Sequence, residues 1–212
     1  TGYTSFQKRK RLPFTELLTI LSTISKTIAE MHTNGVVHQD IKVKNVLYRK
    51  DEQGNVEAKL IDFGHSYRPS KTRATNKSNG HHYGTVRYSS PELLNTESQL
   101  PTIFEQRKAE DMYALGCLIY ELSYQKPLPW DDDMYVALKD SSVRDERGKL
   151  ALSIHNEEVE KLLESSRTAP GSILSPQKQL EQICAHLLDS NPKTRFTIAE
   201  FQAALEKITS NP

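Results

Sequence analysis

Asp40, Lys42 and Asn45 lie within six residues of one another, in the stretch Val37-His38-Gln39-Asp40-Ile41-Lys42-Val43-Lys44-Asn45-Val46-Leu47. A carboxylate can accept a proton, an ammonium can neutralise phosphate, and an amide oxygen can ligate a hard cation such as Mg2+. Ile41 and Val43 alternate with the polar residues, as an extended loop with one buried side requires. Charged groups held there lose solvation, so they need a compensating role. For the trio alone, a solvated salt-bridge loop is the competing reading. A second carboxylate follows in Asp62-Phe63-Gly64. A carboxylate at a strand end followed by Gly is a common ligand position, and an ordinary turn is its plain alternative.

Both segments need elements to hold them. Ahead of the loop, Leu17, Leu18, Leu21, Ile24, Ile28 and Met31 recur at three- and four-residue spacing and predict a helix with one buried face. Thr15 is its expected N-cap, and Asn34-Gly35 its expected end. Behind the loop, Val46-Leu47-Tyr48 and residues 56–61 read as strands joined by the turn Asp51-Glu52-Gln53-Gly54-Asn55. That hairpin delivers Asp62 at its end. Residues 65–91 carry Arg68, Lys71, Arg73, Lys77 and Arg87 with no Asp or Glu, a long basic loop of the kind that is functional or disordered. The adjacent His81 and His82 have no Cys or carboxylate spaced nearby to complete a metal site. Residues 110–124 are apolar nearly all round, which places that helix centrally, with Asp111 near its start where a carboxylate suits the dipole. Pro127-Leu128-Pro129-Trp130 breaks the chain, Asp131-Asp132-Asp133 opens another helix, and further helices are expected at 152–165, 178–189 and 197–208. The fold class expected is mainly α with a small β-hairpin.

At 212 residues the chain can bury roughly 70% of its unfolded surface and needs no staples. A net charge of +1 gives no basis for a nucleic-acid partner. Cys117 and Cys184 sit in helical apolar patterns without metal-like spacing, as buried thiols in a reducing compartment would. The expected location is cytoplasmic, or nuclear if Lys8-Arg9-Lys10-Arg11 acts as an import signal, although a solvated turn explains that run more simply. No apolar run is long enough for a membrane span and no signal peptide is visible. The chain starts at Thr1 rather than Met, so a fragment of a longer protein is expected.

Taken together, these residues resemble the eukaryotic-type protein kinase family. His38-Gln39-Asp40-Ile41-Lys42-Val43-Lys44-Asn45 resembles the H-R-D-L-K-x-x-N catalytic loop, Asp62-Phe63-Gly64 the D-F-G, and Ser90-Pro91-Glu92 the A-P-E. Gly84-Thr85 with Tyr88 resembles the substrate loop, Asp111-Met112-Tyr113-Ala114-Leu115-Gly116-Cys117 the central helix, and Asn191-Pro192 with Arg195 the end of the domain. The order of these motifs covers roughly residues 14–208 and implies the large, C-terminal lobe, with the catalytic loop at 36–47, the activation segment at 62–92 and a helical subdomain at 93–208. It implies ATP and Mg2+ as cofactors and a protein Ser/Thr hydroxyl as substrate. By resemblance Asp40 is the base, Lys42 neutralises the transferred group, Asn45 and Asp62 hold Mg2+, and Thr85 steadies Lys42 and Asp40. His38 and Phe63 stack beneath the site, and Asp111 anchors the loop. Glu92 and Arg195 form a buried pair whose breakage costs about 3–5 kcal/mol. Leu47, Leu118 and Leu122 form the column under the adenine, which simple core packing also explains. Lys42 and Thr85 resemble a Ser/Thr rather than a Tyr kinase. Small-molecule phosphotransferases share the H-x-D loop but lack the Pro91-Glu92 and Asp111 patterns.

Three departures bear on function. Gln39 stands where the family has Arg, the usual partner of an activation-loop phosphate, so activity is expected not to depend strongly on loop phosphorylation. Ser90 replaces Ala, a mild change. No Gly-rich loop, strand Lys or partner Glu precedes Thr15, so the ATP-gripping N-terminal lobe is expected upstream. General-base assistance is worth about 10²–10⁴ in rate, whereas positioning supplies about 7–11 kcal/mol. These residues alone are therefore expected to bind ATP poorly and turn over slowly. Two readings follow: part of an active Ser/Thr kinase, or a kinase-like scaffold without turnover. The four retained residues Asp40, Lys42, Asn45 and Asp62 favour the first, because a scaffold has no chemical need for all of them.

Overall fold

A computed structural model describes residues 2–5, 12–69, 85–94, 103–140, 142–165, 167 and 174–210. The basic run at 8–11, the histidines at 81 and 82, Gly84, Lys71, Arg73, Lys77 and the loop at 169–172 lie outside the described residues. The described chain is mostly helical with a small antiparallel sheet. Its elements in order are β1 (Thr4–Ser5), α1 (Phe14–Thr33), β2 (Val46–Lys50), β3 (Val56–Leu60), α2 (Ile103–Tyr124), α3 (Asp131–Lys139), α4 (Arg144–Ser165), α5 (Pro176–Leu187) and α6 (Ile198–Ser210).

The hairpin forms as its alternation predicts, with Val46 opposite Leu60 and Lys50 opposite Val56. Asp51 folds the turn by accepting from the amides of Gln53 and Asn55, both at 2.8 Å, and Gly54 takes φ +85°. A third strand was not expected: Thr4 and Ser5 pair with Tyr48 and Leu47. Two residues are too short for a periodicity signal to register.

α1 starts one residue after Pro13, so Thr15 lies inside the helix rather than capping it. Its carbonyl accepts from the Thr19 hydroxyl at 3.0 Å. Pro13, with φ −53°, already has the angle that leads into a helix. The predicted face is buried, and Ile20, Ser25 and His32 join it, while Met31 is only half-buried. Asn34 and Gly35, the latter at φ +72°, close the helix by donating to the Glu30 and His32 carbonyls.

α2 runs through the centre, packing on α5 and on the turns that carry the site. It begins at Ile103, seven residues before the expected start, through charged turns held by Glu105–Lys108 and Arg107–Glu110 pairs. Asp111 is therefore well inside the helix and serves other elements. At Gly116 an added Cβ would stand 2.9 Å from the Leu187 Cβ and 3.1 Å from the Leu188 side chain. The glycine is what lets α2 and α5 approach so closely. α4 likewise starts earlier than expected, at Arg144. Trp130, Tyr113, Tyr120 and Phe201 are fully buried in the core between these helices. Among the described residues no helix is long and apolar enough to cross a membrane.

Candidate active site

The loop after α1 is held from α2. The Asp111 carboxylate accepts the backbone amides of His38 and Gln39, both at 2.8 Å, and the His32 Nε2 at 3.0 Å. It is 1% exposed, and these bonds are what its burial requires. Gln39 adopts φ +64°, a conformation that costs a non-glycine residue about 1–3 kcal/mol. Charge-assisted bonds to buried Asp111 offset that strain.

This turn presents Asp40, 4% exposed, to three partners. Its Oδ1 accepts the Thr85 amide at 3.0 Å and the Thr85 hydroxyl at 2.7 Å. Its Oδ2 accepts the Lys42 ammonium at 2.7 Å and the Asn45 amide at 3.0 Å. Lys42 also donates to the Thr85 hydroxyl at 2.8 Å, closing a triangle. Burial alone would raise the Asp40 pKa, but the bonds from Lys42, Thr85 and Asn45 outweigh it and hold the carboxyl below its ordinary value. Val43–Asn45 forms a 3-10 turn rather than continuing extended, and this turn brings Asn45 back onto Asp40. Behind them the Asp40 amide donates to His38 Nδ1 at 3.2 Å, so Nε2 carries the proton and donates to the Ile61 carbonyl at 3.2 Å. Burial lowers the His38 pKa despite Asp111, Asp40 and Asp62 nearby, and the ring is neutral.

The hairpin register places Asn45 beside Ile61, whose amide donates to the Asn45 carbonyl at 2.9 Å. Asp62 follows at φ +67°, and the Phe63–His65 turn begins. The His38 and Phe63 rings meet at 5.0 Å with a 53° tilt. The Asn45 side-chain nitrogen is committed to Asp40 at 2.8 and 3.0 Å, which leaves its amide oxygen as the donor for a cation. With the exposed Asp62 carboxylate it makes two hard oxygen donors. That set suits Mg2+, which takes one or two protein ligands and keeps water and phosphate for the rest. Leu47 is half-buried, while Leu118 and Leu122 are buried in the main core cluster. Alternation on β2 turns Leu47 to the face opposite buried Val46.

The segment carrying Thr85 is braced at both ends. The Tyr88 hydroxyl donates to Glu121 at 2.5 Å and accepts the Val43 amide at 3.4 Å. Arg195 grips Glu92 through two bonds of 2.7 and 2.8 Å, donates to the Ala109 carbonyl at 2.9 Å, and stacks over Tyr113 at 5.0 Å.

Comparison with known proteins gives the same reading from another side. The protein kinase domain family matches residues 3–205. This chain belongs to the protein kinase family. It is similar to the serine/threonine-protein kinase PrkC of Bacillus subtilis, 36% identical over 58% of this chain and 17% of that protein. It is similar to the Wee1-like protein kinase of Arabidopsis thaliana, 27% identical over 87% of this chain and 28% of that protein. It is also similar to the rice serine/threonine-protein kinase/endoribonuclease IRE1, 32% identical over 51% of this chain. The chain spans less than a third of the length of these curated relatives.

The structure of this kinase chain brings Asp40, Lys42, Asn45 and Thr85 into direct contact and sets Asp62 one residue beyond Asn45's neighbour. Sequence reasoning missed His32, Tyr88's partner Glu121, and Arg107. His32 was within reach, since it lies one turn beyond Ile28 on the buried face. Arg87 pairs with Asp131 and Asp132, both at 2.7 Å, so its charge is already matched within the chain. Among the described residues no cluster of three or more His, Cys, Asp or Glu is arranged to hold a metal.

Proposed function

We propose that the chain is the large lobe of a Ser/Thr protein kinase, with its catalytic loop at 36–47, activation segment at 62–92 and helical subdomain at 93–208. In this reading it transfers the γ-phosphoryl group of ATP to a protein Ser or Thr hydroxyl. One observation carries the reading: a buried carboxylate, Asp40, ringed by Lys42, Asn45 and Thr85 on a loop fixed by Asp111. An ionised carboxylate held in place by an ammonium, a hydroxyl and an amide can orient a hydroxyl group and accept its proton.

Asp40 orients the substrate hydroxyl and takes its proton. The hydroxyl oxygen forms a bond to the γ-phosphorus, and the bond to the ADP oxygen breaks with its electron pair leaving on ADP. Lys42 neutralises charge on the moving group, which is most of what phosphoryl transfer asks of a protein. Asn45 and Asp62 would hold Mg2+, which when bound neutralises the nucleotide phosphates. Turnover draws on a nucleotide-covering lobe with the Gly-rich loop and strand lysine that these residues do not include.

The test is phosphate transfer from labelled ATP to casein or histone by the full-length protein and its Asp40→Asn variant. The variant is expected to lose at least about 10³-fold in kcat, at the centre of the range for general-base assistance, while its far-UV spectrum remains that of the folded parent. Full activity in Asp40→Asn would refute the assignment, and inactivity of the parent with intact ATP binding would favour the scaffold reading.

A further inference from the structure

Gln39 lies between two segments that are distant in sequence. Its amide orientation is fixed by its neighbours, a carbonyl on one side and a guanidinium on the other. So oriented, the nitrogen donates to the His65 carbonyl at 3.2 Å, and the oxygen accepts from Arg107 Nε at 3.3 Å and Nη1 at 3.1 Å. Arg107 also donates through Nη1 to Glu110 at 2.9 Å. Arg107 and Glu110 are 8% and 9% exposed. A buried pair of this kind seldom adds net stability, which leaves a specifying role for it to play. Glu110 and Gln39 line one small cavity behind Asp40. Next to His65, Tyr67 and Val37 exchange backbone bonds, both at 3.0 Å. Thus α2, the catalytic turn and the segment after Asp62 meet at a single side chain.

We propose that Gln39, Arg107 and Glu110 form an internal latch that fixes the 62–67 segment against the catalytic turn, with Arg107 as a positioning residue. The cation beside residue 39 comes from α2, and Glu110 accepts its remaining hydrogen bond. The chain therefore closes this contact with its own side chains and needs no phosphate. The inference rests on the kinase reading for its rate measurement but has a second readout that does not.

In the full-length protein, Arg107→Gln and Gln39→Ala are expected to speed amide exchange in 63–67 by about tenfold and to leave exchange in α5 and α6 unchanged. They should lower kcat by about 10–100-fold, as a misplacement of about 1 Å does, with the KM for the peptide little changed. Arg107→Lys, which keeps the charge, should recover part of the loss. Gln39→Arg sets two guanidiniums together and should be at least as damaging, and adding Arg107→Gln to it should restore activity. Phosphatase treatment of the parent, and alanine at Ser70, Thr72, Thr75 and Ser78, should leave kcat within about twofold. Unchanged exchange at 63–67 in both Arg107→Gln and Gln39→Ala would overturn the latch, whether or not the parent turns over. Activity that phosphatase removes in the parent but not in Arg107→Gln would overturn it too, by making Arg107 a phosphate reader. A parent inactive toward every substrate, with exchange responding as expected, would refute the kinase reading and leave the latch standing.

Discussion

Thr85 separates charge from position at the scale of single residues. Its hydroxyl donates to Asp40 and accepts from Lys42, while its amide holds Asp40 independently. Thr85→Ala removes the first two bonds and keeps the third. Hydrogen bonds to charged groups contribute about 1.5–3 kcal/mol each, and part of the loss is recovered by direct Lys42–Asp40 attraction at 2.7 Å. We expect kcat for phosphate transfer to fall about 10–100-fold, and Thr85→Ser to restore most of it. Steady-state kinetics with saturating ATP decide the matter, and equal kcat in Thr85→Ala and the parent would remove Thr85 from the machinery. Asp40, Lys42 and Asn45 stand out in the sequence because residue type states what each can do, and the structure brings the three into contact. The longer-range partners do not stand out. Nothing local ties Tyr88 to Glu121 or Gln39 to Arg107, since only the tertiary fold brings them together.

At the scale of elements, helices and strands were legible where apolar spacing is strong and blurred where it is weak. The hairpin and the buried face of α1 follow from alternation and three-four spacing. The early turns of α2 and α4 carry charged residues, so periodicity carried no signal there although i,i+3 pairs sustain the helix in α2. Thr15 looked like a cap by residue type, but Pro13 had already set the start. Gly116 illustrates a constraint no spacing reveals: a glycine inside a helix, costly in isolation, placed where α5 leaves no room for a Cβ. Gly116→Ala gains helix propensity of about 1 kcal/mol, but it must push Leu187 or Leu188 aside, and overpacking costs about 1–3 kcal/mol. A Leu187 Cβ at 2.9 Å is backbone-fixed and cannot swing away, so the overpacking cost prevails. The urea midpoint should fall in Gly116→Ala and fall further in Gly116→Val. A midpoint raised by alanine would show that the two helices separate freely.

For the whole molecule, buried titratable groups set how stability responds to pH. His38 and His155 are both 0% exposed, and burial is the leading cause that lowers each pKa below the ordinary 6.5. His155, on α4, packs its ring edge-on against Trp130 at 4.8 Å and beside Tyr113 at 5.8 Å. It is hydrogen-bonded to Asn156, with Arg195 and Asp189 acting in opposite directions. Because the folded histidines bind protons less readily than the unfolded ones, their contribution is whole above pH 6.5 and is lost as pH falls through the folded values. Glu110 acts with the opposite sign. Burial pushes it up to about 7 from 4.5, so its contribution is whole below 4.5 and is lost as pH rises toward 7. Each group changes stability by at most about 1.4 kcal/mol per pH unit. The histidines and the carboxyl therefore pull stability in opposite directions between about pH 7 and pH 5, and single variants separate them by urea midpoint. His155→Phe keeps the ring contacts and removes the titration, so acidification should lower its midpoint less than the parent's. Glu110→Gln removes the opposing group, so acidification should lower its midpoint more than the parent's. An unchanged pH response in His155→Phe would mean that this histidine binds its proton equally well folded and unfolded, despite the apolar wall of Trp130 and Tyr113.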